Sequence, residues 1–230
     1  MKFNKKELGT QKQFNELNLY LSTEKINENP LDTAKVILNI ALKFRISSDF
    51  YSENITFLKK VADFAEYHQN NIKILENCIY AIGEFGGLSK NNECKEFCFN
   101  YLKNYAKSDN KKIKYISNLL IVNLYAELLH NEPDFFQFAI GICNLAPKKN
   151  TIMIFSIFIS VHIDWFDKMQ LQQAINVFDK YSKATKHNFD KFLYEKIVEL
   201  LSQHINGNIK LKSKELRSKA NDYAINKTYK

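Results

Sequence analysis

Glycine and proline are scarce in this 230-residue chain, which has 6 and 3 of them. All-β folds need a turn about every 8–12 residues and spend these two residue types there. Their scarcity excludes a sandwich or barrel and points to long helices joined by short polar loops. Cysteine is scarce too. Cys78, Cys94, Cys98 and Cys143 are too few for a disulfide scaffold of this length, so reduced thiols are expected. Long apolar runs are missing: the longest, Thr151 to Phe166, is broken by Ser156, Ser160, His162 and Asp164. A membrane-spanning helix needs about 20 apolar residues, so this run reads as a buried helix. The opening residues, from Met1 to Glu7, are charged and lack the apolar stretch of a secretory signal. A cytoplasmic protein without membrane contact is expected.

What the chain has is apolar residues in quantity, 45% with 13% aromatic, enough for a sizeable core and too many for a disordered body. They recur at i, i+3, i+4 and i+7, which predicts an all-α fold with helices over 4–22, 31–46, 53–69, 71–85, 90–107, 109–130, 132–146, 151–167, 168–186 and 188–205. Pro30 at a first helical position, Glu132-Pro133-Asp134 before a helix and Pro147 after it fit those ends. Gly86-Gly87 reads as a C-terminal stop needing positive φ, not as a phosphate loop, because no strand precedes it.

The second helix of each pair has an expected N-cap at Asn29, Asn70, Ser108, Asn150 or Asn188, giving intervals of 41, 38, 42 and 38 residues. A period near 40 with two helices per unit is the mark of helical repeats, whose hairpins cover one another's apolar faces. Asn71-Ile72-Lys73 followed by Ala81-Ile82-Gly83-Glu84-Phe85-Gly86 resembles the second helix of a HEAT repeat, and Asp109 followed by Ile113-Lys114 resembles the start of one. The resemblance implies an α-solenoid of about five hairpins over 1–205, with the second helices lining a concave binding surface. It implies no particular activity. The alternative is an irregular multi-helix bundle.

On those second helices polar residues line up as Lys35, Asn39 and Lys43, then Lys73 and Asn77, then Lys114 and Asn118, then Ser156, Ser160 and Asp164, then Glu195 and Glu199. Under the resemblance this stripe is the partner-binding face, basic in its N-terminal half and neutral to acidic beyond. The simpler reading is that every surface helix needs a polar side.

Charge is uneven. Of the net +8, residues 206–230 hold +5 and the remainder +3. This basic tail, with Lys210, Lys212, Lys214, Arg217 and Lys219, is expected to be a solvated anion-contact segment, or one short helix, whose removal leaves the thermal midpoint nearly unchanged. It lacks the interleaved aromatics that stack on single strands, and only weak nucleic-acid contact is expected of it.

No catalytic signature is evident. Cys94 and Cys98 lie four apart on one helix, but structural zinc takes four ligands and no further Cys or His is close in sequence; no metal or other cofactor is expected. The histidines His68, His130, His162 and His204 fall near expected helix ends, where a partly positive ring suits the macrodipole. His162, Asp164 and Trp165 form the one cluster where an acid beside an aromatic would suit chemistry on an extruded base, without a second element of such an enzyme. The expected function is non-enzymatic protein–protein interaction through the second helices, as an adaptor, assembly factor or toxin-neutralising partner. The alternative is nucleic-acid binding by the basic groove and tail.

Overall fold

The computed structural model describes residues 11–44 and 55–228. Among them are twelve α-helices and two 3-10 turns, with no strand. The helices are α1 Gln11–Tyr20, α2 Pro30–Phe44, α3 Ile55–Tyr67, α4 Ile72–Gly87, α5 Asn92–Tyr105, α6 Lys111–Leu124, α7 Ala126–His130, α8 Phe135–Leu145, α9 Lys149–Val161, α10 Lys168–Ala184, α11 Asn188–Ile205 and α12 Glu215–Thr228. Among the described residues no helix is long and apolar enough to cross a membrane. Residues 4–10, 45–46 and 53–54 of the expected helices lie outside the described residues.

The chain forms two compact units, Met1–Glu132 and Pro133–Lys230. In the first, α4 packs against α2, α3, α5 and α6, while α5 also packs against α3 and α6. Asn71 starts α4, its Oδ1 accepting from the N–H groups of Lys73 and Ile74 at 3.2 and 3.4 Å. These are donors that a helix end otherwise leaves without partners. Beyond the cap, Ile74, Cys78 and Ile82, with Leu75, Ile79 and Phe85, recur at helical spacing and are all buried. A run of rings ties three helices together: Phe14 of α1 meets Phe57 of α3 at 4.6 Å, and Phe57 meets Phe85 of α4 edge-on at 5.2 Å.

Gly83, Gly86 and Gly87 are helical, and the C-cap is Leu88 at φ −94°. The expectation of a positive-φ glycine stop is therefore corrected. These glycines let neighbours approach instead. A Cβ on Gly83 would lie 2.8 Å from Leu120 of α6, and one on Gly86 would collide with Cys98 of α5. The helix expected over 109–130 breaks at Tyr125, whose backbone leaves the helical region and whose hydroxyl donates to the Gly83 carbonyl at 2.8 Å.

In the second unit the rings run from α8 to α11. Phe136 meets Phe155 at 6.4 Å, Phe155 meets Phe178 at 5.5 Å and Phe178 stacks on Tyr194 at 5.8 Å. Ile152, Phe155, Ile159 and Ile163 are all buried, as the apolar run predicts for a covered helix. Asp167 opens α10 with a capping box: its Oδ1 accepts from Gln170 N–H at 2.8 Å, and Gln170 Oε1 accepts from Asp167 N–H at 3.0 Å. Two expected caps fail here. α9 begins at Lys149 behind Lys148, and α11 at Asn188 behind His187, neither with a side-chain cap bond. In the first unit the caps of α4 and α6 are Asn71 and Asn110, one and two residues beyond Asn70 and Ser108. The second helices α2, α4, α6, α9 and α11 start 42, 39, 38 and 39 residues apart.

Residues 206–230 belong to the second unit. Their helix α12 packs on α11 and α9 and buries Leu216, Ala220 and Ala224 completely. Of the two expectations for the tail, a solvated segment or one short helix, the structure has the helix, and it is docked. Leu216, Ala220 and Ala224 fall on one strip of the helix, and Leu211 is buried just before it.

Candidate partner-binding face and the seat of the last helix

Three helices of the sequence-predicted stripe, α2, α4 and α6, lie side by side in the first unit, α4 packing against both others. Lys35, Asn39 and Lys43 are exposed on α2, and Lys73 is exposed on α4 beside a half-buried Asn77. Lys35 Nζ is 3.0 Å from Asp32 Oδ1, an exposed i,i+3 pair of small energetic consequence. Two apolar side chains of these helices are also exposed, Leu42 at 41% and Ile72 at 37%. Tyr80 of α4 is half-buried; burial first, then Tyr115, Glu76 and Glu84, hold its phenol above the ordinary value.

Lys114 is only half-exposed, and Asn118 is buried. The Asn118 amide donates to the carbonyls of Ala106 at 3.3 Å and Lys114 at 2.6 Å, joining α6 to the end of α5. Asn118 is thus a structural tie and is removed from the candidate face. The polar spacing was right, but a buried amide with two carbonyl acceptors reads the same in sequence as an exposed one.

In the second unit the stripe has a different fate. Ser156 and Ser160 are buried, and α12 lies on them. Ser160 Oγ accepts from the Arg217 backbone N–H at 3.1 Å, Ser160 O accepts from Lys214 N–H at 2.7 Å, and Val161 O accepts from Ser213 Oγ at 2.7 Å. The last two acceptors are end-of-helix carbonyls of α9, which lack partners within the helix. The Arg217 guanidinium donates to Ser156 Oγ. It points inward, so Arg217 leaves the set of anion-contact residues, while Lys210, Lys212, Lys214 and Lys219 remain exposed. Burial pushes the Tyr194 phenol up; the Arg217 charge and hydrogen bonds with Ser156 and Arg217 oppose it.

Asp164, Glu195 and Glu199 are exposed. Glu195 lies 4.0 Å from Lys191 and Glu199 2.6 Å from Lys196. His162 stacks on Trp165 at 3.7 Å, but Asp164 sits in the open 3-10 turn between them rather than against an aromatic wall. Cys94 and Cys98 are buried on α5. No group of three or more His, Cys, Asp or Glu that could hold a metal exists among the described residues. The second unit also contains a cavity of about 280 Å³ between Cys143, Ile152, Val177 and Tyr181, with Lys180 at its wall.

Sequence reasoning missed the Arg217 seat, although a signal was present. Only Arg45 and Arg217 are arginine among 33 basic residues. An arginine in an otherwise lysine-only tail marks a position where a planar fork of donors has work that an ammonium does not do. It also missed two buried carboxylates. Glu84 is on α4, and Asp190 is on α11, where Lys149 of α9 reaches it at 2.9 Å. No family model, curated protein or solved structure matches this chain.

Proposed function

We propose that the chain is a non-enzymatic protein-interaction module that holds an acidic partner protein across α2, α4 and α6. The observation that carries this reading is the row of exposed cations Lys35, Lys43 and Lys73 on helices that pack side by side, interspersed with exposed Leu42 and Ile72. Lysine charges steer an acidic partner and the aliphatics give it something to bury. Docking of α12 on α9 and α11 supports the same use of second helices, since there a helix already lies across them. We read the alternation within the first unit, α4 between α2 and α6 with α5 against α3, as stacked HEAT-like hairpins. Four buried cysteines, none in a disulfide, fit a reducing cytoplasm.

The test is a triple change, Lys35→Glu, Lys43→Glu, Lys73→Glu, confined to exposed sites so that helicity is kept. Partner capture from the native host, compared between wild type and variant by mass spectrometry, is expected to lose one specific acidic protein. If wild type binds DNA or RNA tightly at physiological salt and the triple variant does not, the nucleic-acid alternative replaces this reading.

A further inference from the structure

The contacts that hold α12 are concentrated on a narrow strip. Leu216, Ala220 and Ala224 are completely buried at i, i+4 and i+8, one face of a helix. Arg217 beside them supplies the inward guanidinium and a backbone N–H, and the lead-in residues Ser213 and Lys214 occupy the carbonyl end of α9. All of these groups come from one short segment, so any helix with the same register presents the same contacts.

Beyond the strip, Tyr223 is half-buried under the Lys196 ammonium of α11 at 5.2 Å, and Asn221 is half-buried. Asp222, Ile225, Asn226 and Lys227 are exposed, and two of the three buried side chains of the helix are alanines, whose apolar area is small. Upstream, Leu211 is buried with its N–H on His204 Nδ1 at 3.2 Å, while Asn206, Gly207, Asn208 and Lys210 are exposed and Gly207 turns at φ 77°, a conformation glycine adopts freely. A helix held by a short strip behind an exposed glycine turn is suited to leave and return as a unit.

We propose that α12 is the built-in occupant of a helix-binding seat on α9 and α11. When α12 swings out, this seat takes a partner's α-helix carrying leucine, arginine next to it, and alanines four and eight positions after the leucine. The inference is independent of the basic face on α2, α4 and α6, because the residues involved and the unit that holds them are different.

The experiment uses the full chain. Hydrogen exchange is expected to show the amides of α12 opening locally, ahead of those of α9 and α11. A labelled peptide spanning residues 209–228 serves as the probe for anisotropy titration. It is expected to bind saturably, about tenfold more tightly to an Arg217→Ala protein, because a weakened internal occupant leaves the seat open more of the time. The same change placed in the peptide is expected to weaken its binding about tenfold. Ala224→Gln, which wedges the far end of the strip, provides a second opened protein and is expected to raise peptide affinity likewise. The proposal is overturned if α12 exchanges only together with α9 and α11, or if both substituted proteins unfold as a whole. It is also overturned if either protein stays helical with α12 loosened and the peptide does not bind.

Discussion

The guanidinium of Arg217 on α12 donates to the hydroxyl of Ser156 on α9, 61 residues earlier in the chain. Ser156 Oγ spends its own proton on the Met153 carbonyl at 2.8 Å, which leaves its lone pairs for the arginine. One turn on, Ser160 Oγ accepts from the Arg217 backbone N–H. No carboxylate pairs with Arg217 among the described residues, so a half-buried positive charge is met by neutral oxygens alone. Such bonds fix the register of α12, and breaking them leaves a buried oxygen of α9 without its present donor.

Removing the tail should therefore be felt by the second unit. A chain ending at Asn206 loses the packing of Leu211, Leu216, Ala220 and Ala224 and leaves the Ser160 and Val161 carbonyls of α9 without their present donors. Burying an aliphatic side chain contributes about 1.5–3 kcal/mol, and two leucines are involved. A fall in the thermal midpoint of several degrees or more by calorimetry is expected, with the loss assigned to the second unit. An unchanged midpoint would restore the solvated-tail picture.

How much of this was legible in the sequence follows from what its signals encode. Apolar periodicity reports a buried face, and it placed α2 to α5, α8, α10 and α11 to within three residues, while running α6 and α9 six residues too far at their C-terminal ends. It also picked out Ile152, Phe155, Ile159 and Ile163 as a covered helix. It says nothing of who covers a face. Ser156 and Ser160 therefore looked like a groove when they are a seat, and Asn118 looked exposed when it bonds two carbonyls. Glycine carries two meanings, backbone freedom and absence of bulk, and Gly86-Gly87 were read for the first when the packing of α4 uses the second. The tail misled through composition: its lysines dominate the count, while Leu216, Ala220 and Ala224 on one strip, with Leu211 before them, decide the outcome.

Phe155 is fully buried between Phe136 and Phe178. Phe155→Ala is expected to cost about 3–5 kcal/mol, the range for truncating an enclosed phenylalanine whose cavity only partly collapses. Urea denaturation followed by far-UV circular dichroism measures it. A loss below about 1 kcal/mol would mean that the ring is not enclosed.

Two helical glycines should respond to alanine with opposite signs. Helix propensity alone favours alanine by about 1 kcal/mol. At Gly141 of α8 nothing lies within 4 Å of an added Cβ, so Gly141→Ala should stabilise by roughly 0.5–1 kcal/mol. At Gly86 the added carbon would collide with Cys98 and stand 2.5 Å from the Tyr125 hydroxyl. Overpacking of that kind costs about 1–3 kcal/mol, and the neighbour is a side-chain root that cannot swing aside. Gly86→Ala should therefore be destabilising. Equal shifts for both variants in one denaturation series would refute the close α4–α5 approach.

The thiols set the alkaline limit. Burial pushes Cys78 and Cys143 from an ordinary value of 9.0 up to about 12, and raises Cys98 as well. Below about pH 9 a thiol is protonated whether the chain is folded or not, so these groups leave stability unaffected. Between pH 9 and 12 the unfolded chain releases protons that the folded one keeps, and ionisation draws the equilibrium towards unfolding. The buried phenols of Tyr101, Tyr125 and Tyr194, all raised by burial, act in the same direction at higher pH. Stability from urea melts should thus be flat from about pH 8 to pH 9 and fall steadily above it. At pH 8 a thiol-specific reagent should react with none of the four cysteines in the native protein and with all of them in urea, since a buried thiol offers neither access nor thiolate. Rapid labelling of Cys78 or Cys143 under native conditions would contradict their burial and, with it, the pH dependence derived from it.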